Sequence, residues 1–155
     1  MGESGRASEV EFRVRYAETD SMGFVYHTHY LVWCEVGRTH LLRETGTSYA
    51  ELERTGVFLA VSEAEIRYHA PACYDDRIRV RTRLRALRSR GVVFDYEILD
   101  ADSGRRLATA RTHLVCLDRD ARPQSLPSDL RARLGDRLGD PAADAVDSRR
   151  STVDS

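Results

Sequence analysis

Residues 77–85 read Arg-Ile-Arg-Val-Arg-Thr-Arg-Leu-Arg, with arginine at every odd position and mostly apolar side chains between. A period of two belongs to a β-strand with one wet and one dry face, because successive side chains leave a strand on opposite sides. Five like charges on one strand face repel each other unless a neighbouring strand supplies acids across from them. The segment Val92 to Asp100 does so: Asp95 and Glu97 share one face while Val92, Phe94, Tyr96 and Ile98 point the other way. This pairing demands a sheet with a charged outer face and an apolar inner face.

The remaining chain supplies partners for that sheet. Residues 9–18 alternate, with Val10, Phe12 and Val14 against Glu11, Arg13 and Arg15, and read as a strand. So do residues 60–68, with Ala60, Ser62, Ala64, Ile66 and Tyr68 on one face and Val61, Glu63, Glu65 and Arg67 on the other. Pro71 ends that run. Asp102-Ser103-Gly104 makes a turn into a last strand, Arg106 to Leu117. From about Thr28 to Glu44 the apolar spacing becomes helical, through Tyr30, Trp33, Cys34, Gly37 and Leu41. Gly37 costs a helix about 1 kcal/mol relative to Ala, so its presence predicts close approach of helix to sheet. Ser48-x-x-Glu51 has the form of a capping box and opens a second, short helix ending near Gly56. The order is strand, long helix, short helix, four strands: an α+β domain. A short polar helix is expected after Pro127. The predicted organisation is a flexible start (1–8), one domain (9–135) and a disordered tail (136–155) that is rich in Asp, Arg, Ser and Ala.

A chain of 155 residues builds one domain with a real core, not two. Every one of the 24 basic side chains is Arg, and 25 acids bring the formal charge to −1. That balance argues against a nucleic-acid partner, and the lack of Lys excludes Schiff-base chemistry. No apolar run reaches the ~20 residues that span a bilayer, no signal peptide opens the chain, and it is read as cytoplasmic. Cys34, Cys73 and Cys116 lack metal-ligand spacing and read as apolar fillers. His27-Thr28-His29 places two imidazoles on diverging faces with no partner at zinc spacing, so no metal is expected, nor any cofactor.

Chemistry concentrates in Tyr16-Ala17-Glu18-Thr19-Asp20-Ser21-Met22-Gly23-Phe24-Val25-Tyr26-His27. One carboxylate, Asp20, sits on a glycine-containing turn just before a helix. The first N–H groups of a helix lack intrahelical partners and carry the positive end of its dipole, so they can hold an oxyanion. A nearby Asp can activate water or attack directly. The plainer reading, that Asp20 caps its own turn, competes with this one.

The run Val25-Tyr26-His27-x-x-Tyr30-Leu31-x-Trp33-x-Glu35-x-x-Arg38, followed by Tyr68-x-x-Pro71-Ala72-x-Tyr74-Asp75-Asp76, resembles the hotdog-fold acyl-CoA thioesterases of the hydroxybenzoyl-CoA thioesterase family, in its YbgC-like branch. The resemblance implies a curved, mostly antiparallel sheet wrapped round one long helix, and hydrolysis of an acyl-CoA or related thioester. It implies Asp20 as base or nucleophile and the backbone N–H of His27 as the donor to the thioester carbonyl, with a homodimer or homotetramer as the assembly. The His27 imidazole is a candidate to position water, and Tyr26 reads as pocket wall more than as acid. Tyr26, Trp33, Phe58 and Tyr68 are candidates to line an acyl pocket. Glu35 lies eight residues past His27, ~12 Å along the helix axis, so it serves either a neighbouring subunit's site or an ion pair with Arg38. Arg88-Ser89-Arg90 falls where aromatic-acyl-CoA members hold CoA phosphates, and equally reads as a charged hairpin tip. A non-catalytic acyl-CoA binder and a hydroxyacyl-thioester dehydratase are the competing functions.

Overall fold

The computed structural model describes residues 6–138. Strands β1 (Ser8–Arg13), β2 (Phe58–Tyr68), β3 (Arg77–Arg88), β4 (Gly91–Asp100) and β5 (Arg106–Leu117) form one sheet in the order β1-β3-β4-β5-β2. Every neighbouring pair is antiparallel. Helix α1 (His29–Glu44) packs on β1, β3 and β4, the short α2 (Tyr49–Arg54) on β2, and α3 (Ser128–Gly135) against β3. The expected α+β arrangement of a sheet around one long helix is what forms.

The core lies between α1 and the sheet, where Trp33, Cys34, Leu41 and Leu42 meet Ile78, Val80, Leu84, Phe94 and Ile98. Burying each large side chain of this kind contributes ~1.5–3 kcal/mol. The helix comes close because of Gly37: a Cβ there would stand 2.8 Å from Val80 Cγ1 and nearer still to Thr82 Oγ1. Ser48 caps α2 as expected, its hydroxyl accepting the Glu51 N–H at 3.1 Å.

On the outer face the arginines of β3 are neutralised from both sides. Glu11 of β1 takes Arg77 at 3.0 Å and Arg79 at 2.8 Å, and Asp95 of β4 takes Arg85 at 3.1 Å while also pairing with Arg111 of β5 at 2.6 Å. Arg81 lies 3.5 Å from Glu97. Exposed pairs of this kind contribute ~0–1 kcal/mol each; their main effect is to remove the repulsion that five aligned guanidinium groups would impose.

The structure departs from the predicted elements in four places. β1 stops at Arg13 rather than residue 18, and Tyr16–Glu18 closes a single 3-10 turn around a buried carboxylate. Ser62 is a bulge between Val61, opposite Leu114, and Glu63, opposite His113. An inserted residue exchanges the faces on either side of it, so Val61 joins Ala64, Ile66 and Tyr68 on the inner face, and Ala60 does not. A second irregularity lies between Leu84 and Ala86. At the ends, Ser8 is buried in the first strand position, and packing runs past residue 135: Leu138 bridges Leu84, and Arg137 reaches Glu44 at 3.0 Å. The rest of the expected flexible start and tail, 1–5 and 139–155, lies outside the described residues.

Gly37→Ala tests the helix–sheet contact. Overpacking of this kind costs ~1–3 kcal/mol, so the urea midpoint should fall by that equivalent with an unchanged slope, despite alanine's better helix propensity.

Candidate active site

After β1 the chain is pinned to the start of β3, with Val14 N–H donating to the Asp76 carbonyl at 2.9 Å. It then folds into a narrow hairpin. Tyr26 N–H donates to the Glu18 carbonyl at 2.9 Å, Thr19 bridges Val25, and Asp20 N–H donates to the Phe24 carbonyl at 2.7 Å. Gly23 turns the tip with a φ of +84°, a conformation that side-chain-bearing residues rarely adopt.

The hairpin is fastened underneath by Glu18, which is 3% exposed. One carboxylate oxygen accepts the Arg15 N–H at 2.8 Å and the other accepts the indole N–H of Trp33 in α1 at 2.9 Å. Burial pushes this carboxyl's pKa up, but the bonds from the Arg15 N–H and Trp33 and the Arg15 guanidinium outweigh it, leaving Glu18 below its ordinary value and ionised.

Asp20 is exposed at the hairpin tip. Its Oδ1 accepts the N–H groups of Met22 at 2.8 Å and Phe24 at 3.2 Å, while Oδ2 has no partner among the described residues. The amides that hold it belong to its own loop, so Asp20 caps its own turn with this oxygen, as the plainer reading of the sequence has it. On the other arm, the N–H groups of His27 and Thr28 donate to nothing among the described residues; the next, His29 N–H, donates to the Tyr26 carbonyl at 3.0 Å. Thr28 precedes α1 without a side-chain cap; the first amides of the helix, those of His29, Tyr30 and Leu31, donate to the Tyr26, His27 and Thr28 carbonyls, so the free donors are the two just before it. His27 stands three residues past Asp20's partner Phe24, ~10 Å along an extended arm.

Aromatic side chains frame this rim. Tyr26 is 50% exposed and its ring lies 4.5 Å from that of His27. Tyr68, at the end of β2, donates its hydroxyl to the His27 carbonyl at 2.9 Å and meets the Tyr30 ring at 5.1 Å. Tyr30 accepts the Ala72 N–H at 3.0 Å. Burial is the largest influence on both phenols and raises their pKa values, so they act as neutral hydrogen-bonding groups. Trp33, expected as a pocket wall, is instead 1% exposed and serves the core and Glu18. Burial pushes the Cys34 thiol up to about 12, which fits a filler.

Other candidate residues stand apart. Glu35 is exposed and forms no pair with Arg38, whose guanidinium turns into the core beside Tyr49 and Tyr96. Arg88, Ser89 and Arg90 occupy the β3–β4 hairpin, exposed, with Arg131 bound to the backbone carbonyl of Arg88 at 2.6 Å. The Asp20 hairpin is tied to the opposite end of β3, a strand of 12 residues that spans roughly 35–40 Å, so the two do not share a site within one chain. Among the described residues His27 and His29 belong to no metal-ligand cluster; Glu63, Glu65 and His113 place ligand atoms within 4.8 Å of one another on the β2–β5 pair, where His113 is already paired with Glu63 at 3.3 Å.

Glu18 is the buried neighbour of Asp20 that sequence reading missed. Its position between Tyr16 and Asp20 looks like part of a polar loop, and only the lone Trp33 fifteen residues on, with an indole N–H that a core must satisfy, signalled a buried acceptor.

Residues 14–134 match the thioesterase-like superfamily. The acyl-CoA thioester hydrolase YbgC of Escherichia coli is 33% identical over 119 residues, which cover 76% of this chain and 88% of that protein. YneP of Bacillus subtilis is 37% identical over 114 residues, covering 74% of this chain and 82% of that one. Among solved structures, the DHNA-CoA thioesterase of Staphylococcus aureus superposes with a TM-score of 0.74 at 33% identity, covering 77% of this chain and 80% of that one. With the sheet and the central helix in place, the chain belongs to the thioesterase-like superfamily and is a hotdog-fold thioester hydrolase.

Proposed function

We propose that this enzyme hydrolyses acyl-CoA thioesters at the rim formed by Asp20 and His27. The observation that carries the reading is the pair of N–H groups at His27 and Thr28 that are unpaired among the described residues, held in one hairpin with a carboxylate whose Oδ2 is likewise uncommitted among them. Seated on the His27 N–H, a thioester carbonyl becomes more electrophilic, and the negative charge that grows on its oxygen meets the positive end of α1. Asp20 Oδ2 then takes a proton from the attacking water or attacks the carbonyl itself to give an anhydride. Either route suits a lone carboxylate because the leaving thiolate needs no strong acid. The His27 imidazole, against Tyr26, is placed to hold the water.

The functional unit is at least a homodimer. Among the described residues β2 has only β5 beside it, leaving an edge of 11 residues open, and Leu31, Val32 and Val36 of α1 with Val61 of β2 expose apolar surface. A long unpaired edge next to apolar side chains favours pairing with another chain, here a second copy, which would cover the exposed Asp20 rim. Arg88 and Arg90 contribute to CoA phosphate binding only from another copy, given their distance from the hairpin. Glu35 likewise faces outward, toward a partner.

Asp20→Asn keeps an oxygen acceptor for the Met22 and Phe24 amides, so the turn survives. Thiol release from a panel of short, long and aromatic acyl-CoAs should fall by at least ~100-fold with unchanged circular dichroism; full activity would refute the assignment. In a single turnover in heavy-oxygen water, label retained in Asp20 reports an anhydride opened at the enzyme carbonyl, whereas label confined to the acid product fits general base or an anhydride opened at the acyl carbon. Val36→Glu should shift the assembly toward monomer in analytical ultracentrifugation and reduce activity with it.

A further inference from the structure

We propose that Glu18 is a positioning residue for thioester hydrolysis, holding the Asp20 arm and the His27 arm in register from beneath; this rests on the site reading above. The side chain and backbone of Glu18 together join three segments. Its carboxylate binds the Arg15 N–H at 2.8 Å and the Trp33 indole at 2.9 Å, and its carbonyl binds the Tyr26 N–H at 2.9 Å. Its own N–H returns to the Arg15 carbonyl at 2.9 Å.

Each contact bears on the reacting groups. Tyr26 is the residue before His27, so the Glu18–Tyr26 bond fixes the backbone from which the next two amides, unpaired among the described residues, project. Trp33 is rooted in α1, 1% exposed and packed edge-on to Phe12 at 5.6 Å and against Tyr30 at 4.9 Å. The indole bond therefore references the hairpin to the helix whose start supplies the donors. Asp20 lies two residues beyond, with no other tie to α1 among its own hydrogen bonds. An ionised carboxylate accepts from both Arg15 and Trp33; a glutamine has one acceptor oxygen and turns an N–H₂ toward the remaining donor, which breaks one of the two bonds.

Glu18→Gln and Trp33→Phe test this. Trp33→Phe removes the indole donor with most of the packing retained, and stands in if Glu18→Gln does not fold. For Glu18→Gln, kcat should fall roughly 10- to 100-fold, the scale of a small misplacement of reacting groups, with KM for an acyl-CoA changed less than about threefold. Trp33→Phe should lower kcat in the same sense. Combined with Asp20→Asn, neither should lower the rate further, because both act through the same carboxylate. A purely structural role predicts instead unchanged kcat per folded enzyme, or losses that multiply.

Trp33 is the single tryptophan of the chain, so its indole N–H gives one resolved NMR signal. That signal should move in Glu18→Gln, and should titrate in the wild type only as the pH falls below the ordinary glutamate value of 4.5. The sign follows from the lowered pKa: the contact is complete at neutral pH and is lost as the pH falls through that lowered value. If Asp20→Asn is fully active, the site reading fails; if Asp20→Asn is inactive while Glu18→Gln and Trp33→Phe keep wild-type kcat, the positioning role alone is overturned.

Discussion

The buried carboxylate of Glu18 under the hairpin is the interaction on which the geometry of the site depends. An ionised group in a protein interior is costly unless its lone pairs are filled, and here an amide, an indole and a guanidinium fill them. Because those donors come from the exit of β1 and from α1, satisfying one charge fixes how the hairpin enters the helix. The chain then turns into α1 without a capping side chain, and the amides of His27 and Thr28 have no partner among the described residues.

The rest of the fold serves as a rigid base for that corner. Gly37 lets α1 sit on Val80 and Thr82 with no intervening side chain, and Phe12 of β1 and Tyr30 of α1 pack on the buried Trp33 ring. The ion pairs on the outer face have a different task. They let an arginine-rich strand lie flat between β1 and β4 without repulsion, and so permit the alternation that makes the inner face dry.

Much of this was legible in the sequence. Alternation at Arg77–Arg85 and Val92–Asp100 located β3 and β4 and named the acids between them, and the spacing from Tyr30 to Leu41 located α1. What alternation cannot reveal is an inserted residue: the bulge at Ser62 reverses the faces of β2 with no change in residue type. Nor can it reveal which carboxylate is buried. Asp20 attracts notice because it precedes a helix, yet the structure places its oxygen on loop amides and gives the interior to Glu18. The Glu35–Arg38 spacing suits an ion pair on an exposed helix, but Arg38 faces the core, where Tyr49 and Tyr96 surround it. Arg88–Arg90 and Asp20 look equally close to a site in a linear reading; only the length of β3 separates them.

The central claim is that the His27 backbone N–H, unpaired among the described residues, binds the thioester oxygen at the hairpin that carries Asp20. Its most direct test is the amide signal of His27 in a ¹⁵N-labelled sample titrated with a non-hydrolysable acyl-CoA ketone. The account predicts a downfield shift of the His27 amide that saturates with binding. Saturable binding that leaves the His27 and Thr28 amides unmoved would contradict it.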